Sequence, residues 1–155
     1  MSFDFVEFFY LLLRLIAAFL LSFPVAWERE QSTRTMGLRT FPLVAMASCG
    51  YVLVASAVVG SGSEQQARII QGLISGIGFI AGGAILKQGG GVHGTATAAS
   101  IWTTGVIGAA VAYQDYEIAV VVSLINFLTL RLLTPVERKT GKPDRPKNES
   151  PNTES

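Results

Sequence analysis

Few residues in this chain have the chemistry to act on a ligand, and they are thinly spread. There is one cysteine, Cys49, and one histidine, His93. A single cysteine closes no internal disulfide, and neither residue alone can build a metal site. No nucleophile stands beside a base, so the chain reads as a non-enzyme with no metal centre and no cofactor. What remains is charge: Arg14 inside an apolar run, then Glu28, Arg29, Glu30, Arg34, Arg39 and Thr40 close together, and later Lys87, His93 and Thr97. A basic cluster of that kind binds anions or a partner's carboxylates, provided the elements carrying it converge.

Those elements are apolar runs. Half of the 155 residues are hydrophobic, gathered into Phe5–Trp27, Thr40–Gly60, Ile69–Leu86, Thr95–Tyr113 and Glu117–Leu133. A bilayer crossing takes about 20 residues. The fold class expected is all-α: a polytopic membrane protein of five transmembrane helices, two helical hairpins plus a fifth helix. Residues 1–134 form that domain. From Pro135 the composition turns to Glu, Lys, Pro, Asn, Ser and Thr, so 135–155 are expected as a disordered cytoplasmic tail. The first run opens with acids and lacks a small-x-small site, so it does not read as a cleaved signal. A net charge of +1 leaves no nucleic-acid footprint, and Cys49, mid-run, packs as a small apolar residue.

Basic residues sort to one side. Arg29, Arg34, Arg39, Lys87, Arg131 and the basic tail alternate with a side bearing Asp4, Glu64, Asp115 and Glu117, with Arg68 as its one base. The positive-inside rule then places the N-terminus outside and the C-terminus in the cytoplasm. Arg14 lies at membrane depth, where a charge is functional unless it snorkels to the surface. Glu7 shares its helix face but lies about 10 Å away along the axis, too far for contact. Pro24 is expected to kink the final turn of the first helix.

The stretch GLISGIGFIAGGAILKQGGGVHGTATAASIW is crowded with small residues. Gly72 with Gly76, and Gly78 with Gly82, form G-x-x-x-G steps, and Gly83 follows. After the loop Lys87–Gly94, Ala96, Ser100, Thr104, Gly108 and Ala112 share one face. This reads as two closely packed helices joined by a glycine-rich turn. Either the glycines serve helix packing and dimerisation, or Gly76-Ile77-Gly78 and Gly82-Gly83 break the third helix at membrane depth. Asn126 in the fifth run needs a partner on a neighbouring helix.

Gly37-Leu38-Arg39-Thr40 and Gly94-Thr95-Ala96-Thr97 repeat a G-x-x-T pattern at the same place in two hairpins, as a duplicated unit would. Two helix N-termini side by side would favour an anion.

Taken together, Leu13-Arg14-Leu15, Glu28-Arg29-Glu30, Gly37-Leu38-Arg39-Thr40, Leu43-Val44, Gly76-Ile77-Gly78-Phe79, Gly83 and Gly94 through Trp102 resemble the MgtC/SapB family of bacterial inner-membrane proteins. Coverage is roughly residues 9 to 133. Ser22 and Ala26 depart from the family's glycines, which implies looser packing there. Ala81-Gly82 inverts the usual order, and Phe41 replaces a polar residue. The soluble C-terminal domain of longer members has no counterpart in the short polar tail, so roles that depend on it are not expected.

The resemblance implies a part in magnesium limitation, acid stress or virulence, by modulating other membrane machinery, including the ATP synthase. The expected partners are the lipid bilayer, a second copy of the chain (a dimer) and another membrane protein. The expected functional residues are Glu28, Arg29, Arg39, Thr40 and Thr97 as a cytoplasmic cluster, with Arg14 as the buried charge. The alternative is a small transporter or channel for an ion such as Mg²⁺, with Thr97, Ser100 and Thr104 lining its path. Against it, a Mg²⁺ path needs oxygen ligands, usually carboxylates, and spans two, three and four contain none.

Overall fold

The computed structural model describes residues 4–32, 36–59, 63–88 and 91–140. Five helices carry the fold: α1 (Phe5–Ser32), α2 (Thr40–Val59), α3 (Ser63–Gly82), α4 (Thr95–Tyr113) and α5 (Tyr116–Thr140). Between α3 and α4 lies an antiparallel hairpin of β1 (Leu86–Gln88) and β2 (Gly91–His93), pairing Leu86 with His93 and Gln88 with Gly91.

Helix ends follow local chemistry. Asp4 starts α1, its Oδ1 accepting from the backbone N–H of Val6 at 2.9 Å and of Glu7 at 3.4 Å, which satisfies donors that have no partner within the helix. At the end of α4, Gln114 takes a left-handed conformation (φ 67°), and the Asp115 amide reaches back to the Ala110 carbonyl at 2.9 Å. This reversal closes α4 within two residues, so α5 returns beside it.

Four helices are long and apolar enough to cross a membrane: α1, α2, α4 and α5 over its first 18 residues. Their outer surface carries large apolar side chains, as a lipid-facing wall does. The interior is divided into two layers. One gathers Ala18 of α1, Cys49 and Val52 of α2, Ile107 and Val111 of α4 and Ala119 of α5, with Ile69 and Leu73 of α3 against them. The other gathers Val25 and Ala26 of α1, Phe41 and Val44 of α2, Ile77 and Ala81 of α3, Ala98 and Ile101 of α4, and Leu130 of α5. Late positions of α1, α3 and α5 thus meet early positions of α2 and α4. Consecutive helices alternate in direction, and the Arg29, Arg39 and Arg131 ends fall together.

At the centre is α4, most of whose residues from Thr97 to Ala112 are buried. Its small side chains make this possible. A Cβ on Gly108 would lie 2.1 Å from the Ala45 carbonyl oxygen of α2, and one on Gly105 would lie 2.1 Å from Cδ1 of Ile77 in α3. The side chains on α5 close the far side: Asn126 donates to Thr103 Oγ1, and Ser123 donates to the Leu21 carbonyl of α1.

Several expectations change. The third helix starts at Ser63, six residues before the apolar run Ile69–Leu86, and ends at Gly82. Its first turns hold Glu64, Gln65, Gln66 and Arg68, and it is not among the helices apolar enough to cross by length and composition. Hydropathy missed its start because polar residues with good helix propensity extend the helix beyond the apolar run. The turn expected over Lys87–Gly94 overlaps the β-hairpin, which begins one residue earlier at Leu86. The expected packing of α3 on α4 is present, through Ile77 against Gly105, and α2 lies against α4 as well. The first helix continues two turns beyond Pro24, so that proline is not in its final turn. Ser22 and Ala26 are fully buried, so packing is close where looser contact was expected. The backbone stays helical past Pro135 to Thr140, carried by the good helix formers Glu137, Arg138 and Lys139. The rest of the expected tail, 141–155, lies outside the described residues.

These contacts set a contrast. Gly108→Val should lower the stability of the purified protein by about 2–4 kcal/mol through overpacking against backbone. Gly78→Ala, whose new methyl group meets no atom within 4 Å, should be neutral or gain up to about 1 kcal/mol of helix propensity. Denaturation in detergent, followed by circular dichroism, checks both.

Candidate functional site at the basic end of the bundle

The last turn of α1 carries the acid–base sequence Glu28-Arg29-Glu30, and helical spacing of about 100° per residue sends each side chain to a different neighbour. Arg29 turns inward and is 3 % exposed. Its Nη1 donates to Thr97 Oγ1 of α4 at 3.2 Å, and its Nη2 donates to Ser32 Oγ at 2.9 Å. Ser32 in turn donates to the Glu28 carbonyl at 2.9 Å. A cation here also faces the carbonyl end of its own helix, where positive charge is favoured. Glu28 turns towards α5, its Oε2 lying 3.4 Å from Arg131 Nη1; the acid is 12 % exposed and the arginine 59 %.

Glu30 turns towards the α1–α2 connection. Its Oε2 accepts the Leu38 N–H at 3.0 Å. The connection lies so close that a Cβ on Gly37 would sit 2.8 Å from Glu30 Cα. That approach fixes where α2 begins, since the Gly37 carbonyl accepts from the Thr40 and Phe41 amides. Arg39 is exposed and Thr40 half-buried. Both open onto a groove of about 790 Å³ between α2 and α3, whose walls include Leu43, Ala47, Gly72 and Gly76.

The structure therefore distributes the sequence-predicted cluster. Arg29 and Thr97 meet, Glu28 joins α5, and Arg39 with Thr40 borders the groove. Thr97 is three residues inside the pattern that begins at Gly94, within α4 rather than at its first residue, whereas Thr40 is the first residue of α2. Gly94 is left-handed (φ 87°), with the Ala84 carbonyl where a Cβ would be. The two G-x-x-T segments thus differ in register. Arg34 lies outside the described residues, as does the side chain of Lys87.

Arg14 is half-buried in the other layer, within electrostatic reach of Cys49 on α2. Among the described residues no carboxylate pairs with it. On α4 the hydroxyls of Ser100 and Thr104 are buried and donate to the carbonyls of Ala96 and Ser100, both at 2.7 Å. On α3, Gly72, Gly76, Gly78 and Gly82 are exposed, and a Cβ added at any of them meets no atom within 4 Å. An added Cβ at Gly83 would meet only the Ile80 carbonyl oxygen, at 3.2 Å. Among the described residues the α3 glycines thus make no close contact with another helix. The helix also runs unbroken through Gly76-Ile77-Gly78 and stops only at Gly82. A break at Gly76-Gly78 is excluded by its continuous hydrogen bonding.

Sequence reasoning missed Glu30, Ser32 and Arg131 as site residues. Only Arg131 left a signal, as an arginine closing an apolar run at the same end as Glu28. Among the described residues no three His, Cys, Asp or Glu side chains come together to hold a metal ion. His93 is exposed on β2 and Cys49 is buried in α2. The arrangement ties α1 to α4 and α5 and leaves Arg39 and Arg131 facing outward, an electrostatic surface.

A model of the MgtC family matches residues 15–139. The chain belongs to the MgtC family. An uncharacterised protein of Synechocystis, slr0014, is 37 % identical over 125 residues, covering 81 % of this chain and 53 % of the relative. Protein MgtC of Brucella abortus is 39 % identical over 94 residues, 61 % of this chain and 39 % of its own length. Protein SrpB of Synechococcus elongatus is 33 % identical over 129 residues, covering 76 % and 71 %. The chain thus spans about half or less of the first two relatives. No solved structure matches it. The MgtC-family match runs from Leu15 through Thr97 and beyond Arg131, so it includes both side-chain ties.

The two ties should differ in weight. Thr97→Val removes a buried acceptor from a charged donor and should cost about 1–3 kcal/mol. Glu28→Gln weakens a pair with an exposed partner and should cost less than about 1 kcal/mol. Thermal unfolding of both variants in the same detergent checks the order.

Proposed function

We propose that this MgtC-family chain is a multi-pass protein of the bacterial inner membrane that regulates ion or proton homeostasis by contact with other membrane proteins. Membership in the family supports the link to magnesium limitation, acid stress or virulence. In this reading all five helices cross, α3 included, with the N-terminus outside and the Arg29–Arg39–Arg131 end in the cytoplasm, as the positive-inside rule requires. The chain works as a homo-oligomer, and an assembly such as the ATP synthase is a candidate partner.

One observation carries the choice of regulator over transporter. The hydroxyl face of α4, the best prospect for an ion path, is buried among apolar side chains and bonded within its own helix. A hydrated Mg²⁺ needs oxygen ligands and room for its waters. The described carboxylates, from Asp4 and Glu7 to Asp115 and Glu117, all lie at helix ends or in connections. The outward arginines are the groups left to recognise a partner.

The reading has two measurable consequences. Crosslinking in membranes should capture a membrane-protein partner, and Arg39→Ala with Arg131→Ala should cut that capture at least about five-fold, since each basic group near a charged surface is worth about that factor. Proteoliposomes of the wild type should take up Mg²⁺ no faster than empty vesicles. Rapid uptake that vanishes on Gly78→Leu would favour the transporter instead.

A further inference from the structure

The groove between α2 and α3 exists because side-chain volume is missing from its walls. Gly72 and Gly76 present bare backbone on α3, and Ala47 is the small residue opposite on α2. The two helices are held apart by α4, with α2 seated on Gly108 and α3 on Gly105. Interior glycines each cost a helix about 1 kcal/mol relative to alanine, and no contact within the described chain uses their small size. An occupant from outside would use it.

The ends of the groove differ in charge. Arg68 at one end is paired with Glu64 at 3.1 Å. Arg39 at the other is exposed, and among the described residues no carboxylate pairs with it. Beside it stands Thr40 at the start of α2, where the helix dipole favours an anion. An arginine fork matches phosphate geometry.

We propose that the groove binds one anionic phospholipid, its phosphate on Arg39 and Thr40 and an acyl chain lying along Gly76 and Gly72. The length of the groove suits a lipid chain. Thr40 to Ala55 covers about 22 Å of helix at 1.5 Å per residue, and one leaflet of hydrocarbon is about 15 Å deep, so a chain anchored at Arg39 runs past both glycines. The remaining walls, such as Leu43 and Ile80, are apolar. The assignment rests on the membrane reading and on no partner protein.

Native mass spectrometry of the full chain, purified in detergent and equilibrated with mixed phosphatidylglycerol and phosphatidylcholine, tests it. One phosphatidylglycerol per chain should be retained about five-fold or more over phosphatidylcholine, the factor expected for one basic group. Arg39→Gln should erase that preference, and Arg68→Gln should leave it unchanged. Gly76→Leu, whose Cβ meets no described atom within 4 Å and whose side chain fills the groove, should keep the wild-type melting profile yet retain neither lipid. Equal retention of the two lipids would overturn the proposal, as would a preference that survives Arg39→Gln. A lipid-free dimer that Gly76→Leu splits would assign the groove to a second copy. Partner capture is read separately through Arg131→Ala, which leaves the groove intact, so the two readings fail independently.

Discussion

Backbone proximity around α4 is the constraint on which the rest of the structure depends. A helix surrounded by others can be buried over most of its length only if its neighbours come close on several sides. Gly105 and Gly108 permit that on two sides, towards Ile77 of α3 and Ala45 of α2. In a bilayer, apolar association offers little drive because lipid tails are as apolar as leucine, so dispersion contacts at short range supply the cohesion. A single extra methyl at Gly108 removes those contacts and separates α2, the chief neighbour. The ends of the other helices, and with them the arginines, would then lose their common reference.

The buried tie at Arg29 depends on that geometry. Taking a guanidinium out of water costs several kcal/mol unless its donors find acceptors. Here Nη1 and Nη2 find Thr97 and Ser32, at the carbonyl end of α1, with Glu28 nearby holding Arg131. Such a network adds little net stability compared with an apolar filling. It does distinguish one arrangement from its neighbours: if α4 turned by one residue, Thr97 would leave Arg29 without that acceptor. The tie therefore reads as a register lock for the α1–α4 pair, placed at the end of the bundle where water can reach Glu28 and Arg131.

How much of this could be read from the chain depended on the kind of signal. The bounds of α4 were legible to the residue, because Gly94 and Gln114 are left-handed stops on either side of a charge-free run. The core of α2 was legible because its run carries no charge. The start of α3 was not, since Glu64, Gln65 and Gln66 carry no hydropathy even though they form helix readily. Three-residue strands flanked by glycines have no periodicity to detect, so the hairpin read as a turn. At the site, Arg29 and Thr97 could be nominated as residue types, but their meeting is a tertiary fact. Glu30 and Gly37 show the limit best: an acid seven residues before a glycine has no local meaning until the connection folds back and Leu38 donates to it.

The glycines mark where local and global requirements part. On α4 the small residues are crowded, and each is explained by what it touches. On α3 the same residue type at the same spacing has no described atom within 4 Å of where a Cβ would stand. Identical patterns in sequence thus have opposite environments, and the G-x-x-x-G spacing by itself does not say which. The difference lies in helix position: α4 is central and meets its neighbours inside the chain, while α3 is peripheral, leaning on α4 through Ile77 and Ala81. Whatever uses the open glycine wall must come from the surroundings of the bundle, and in a membrane the most abundant molecules there are lipids.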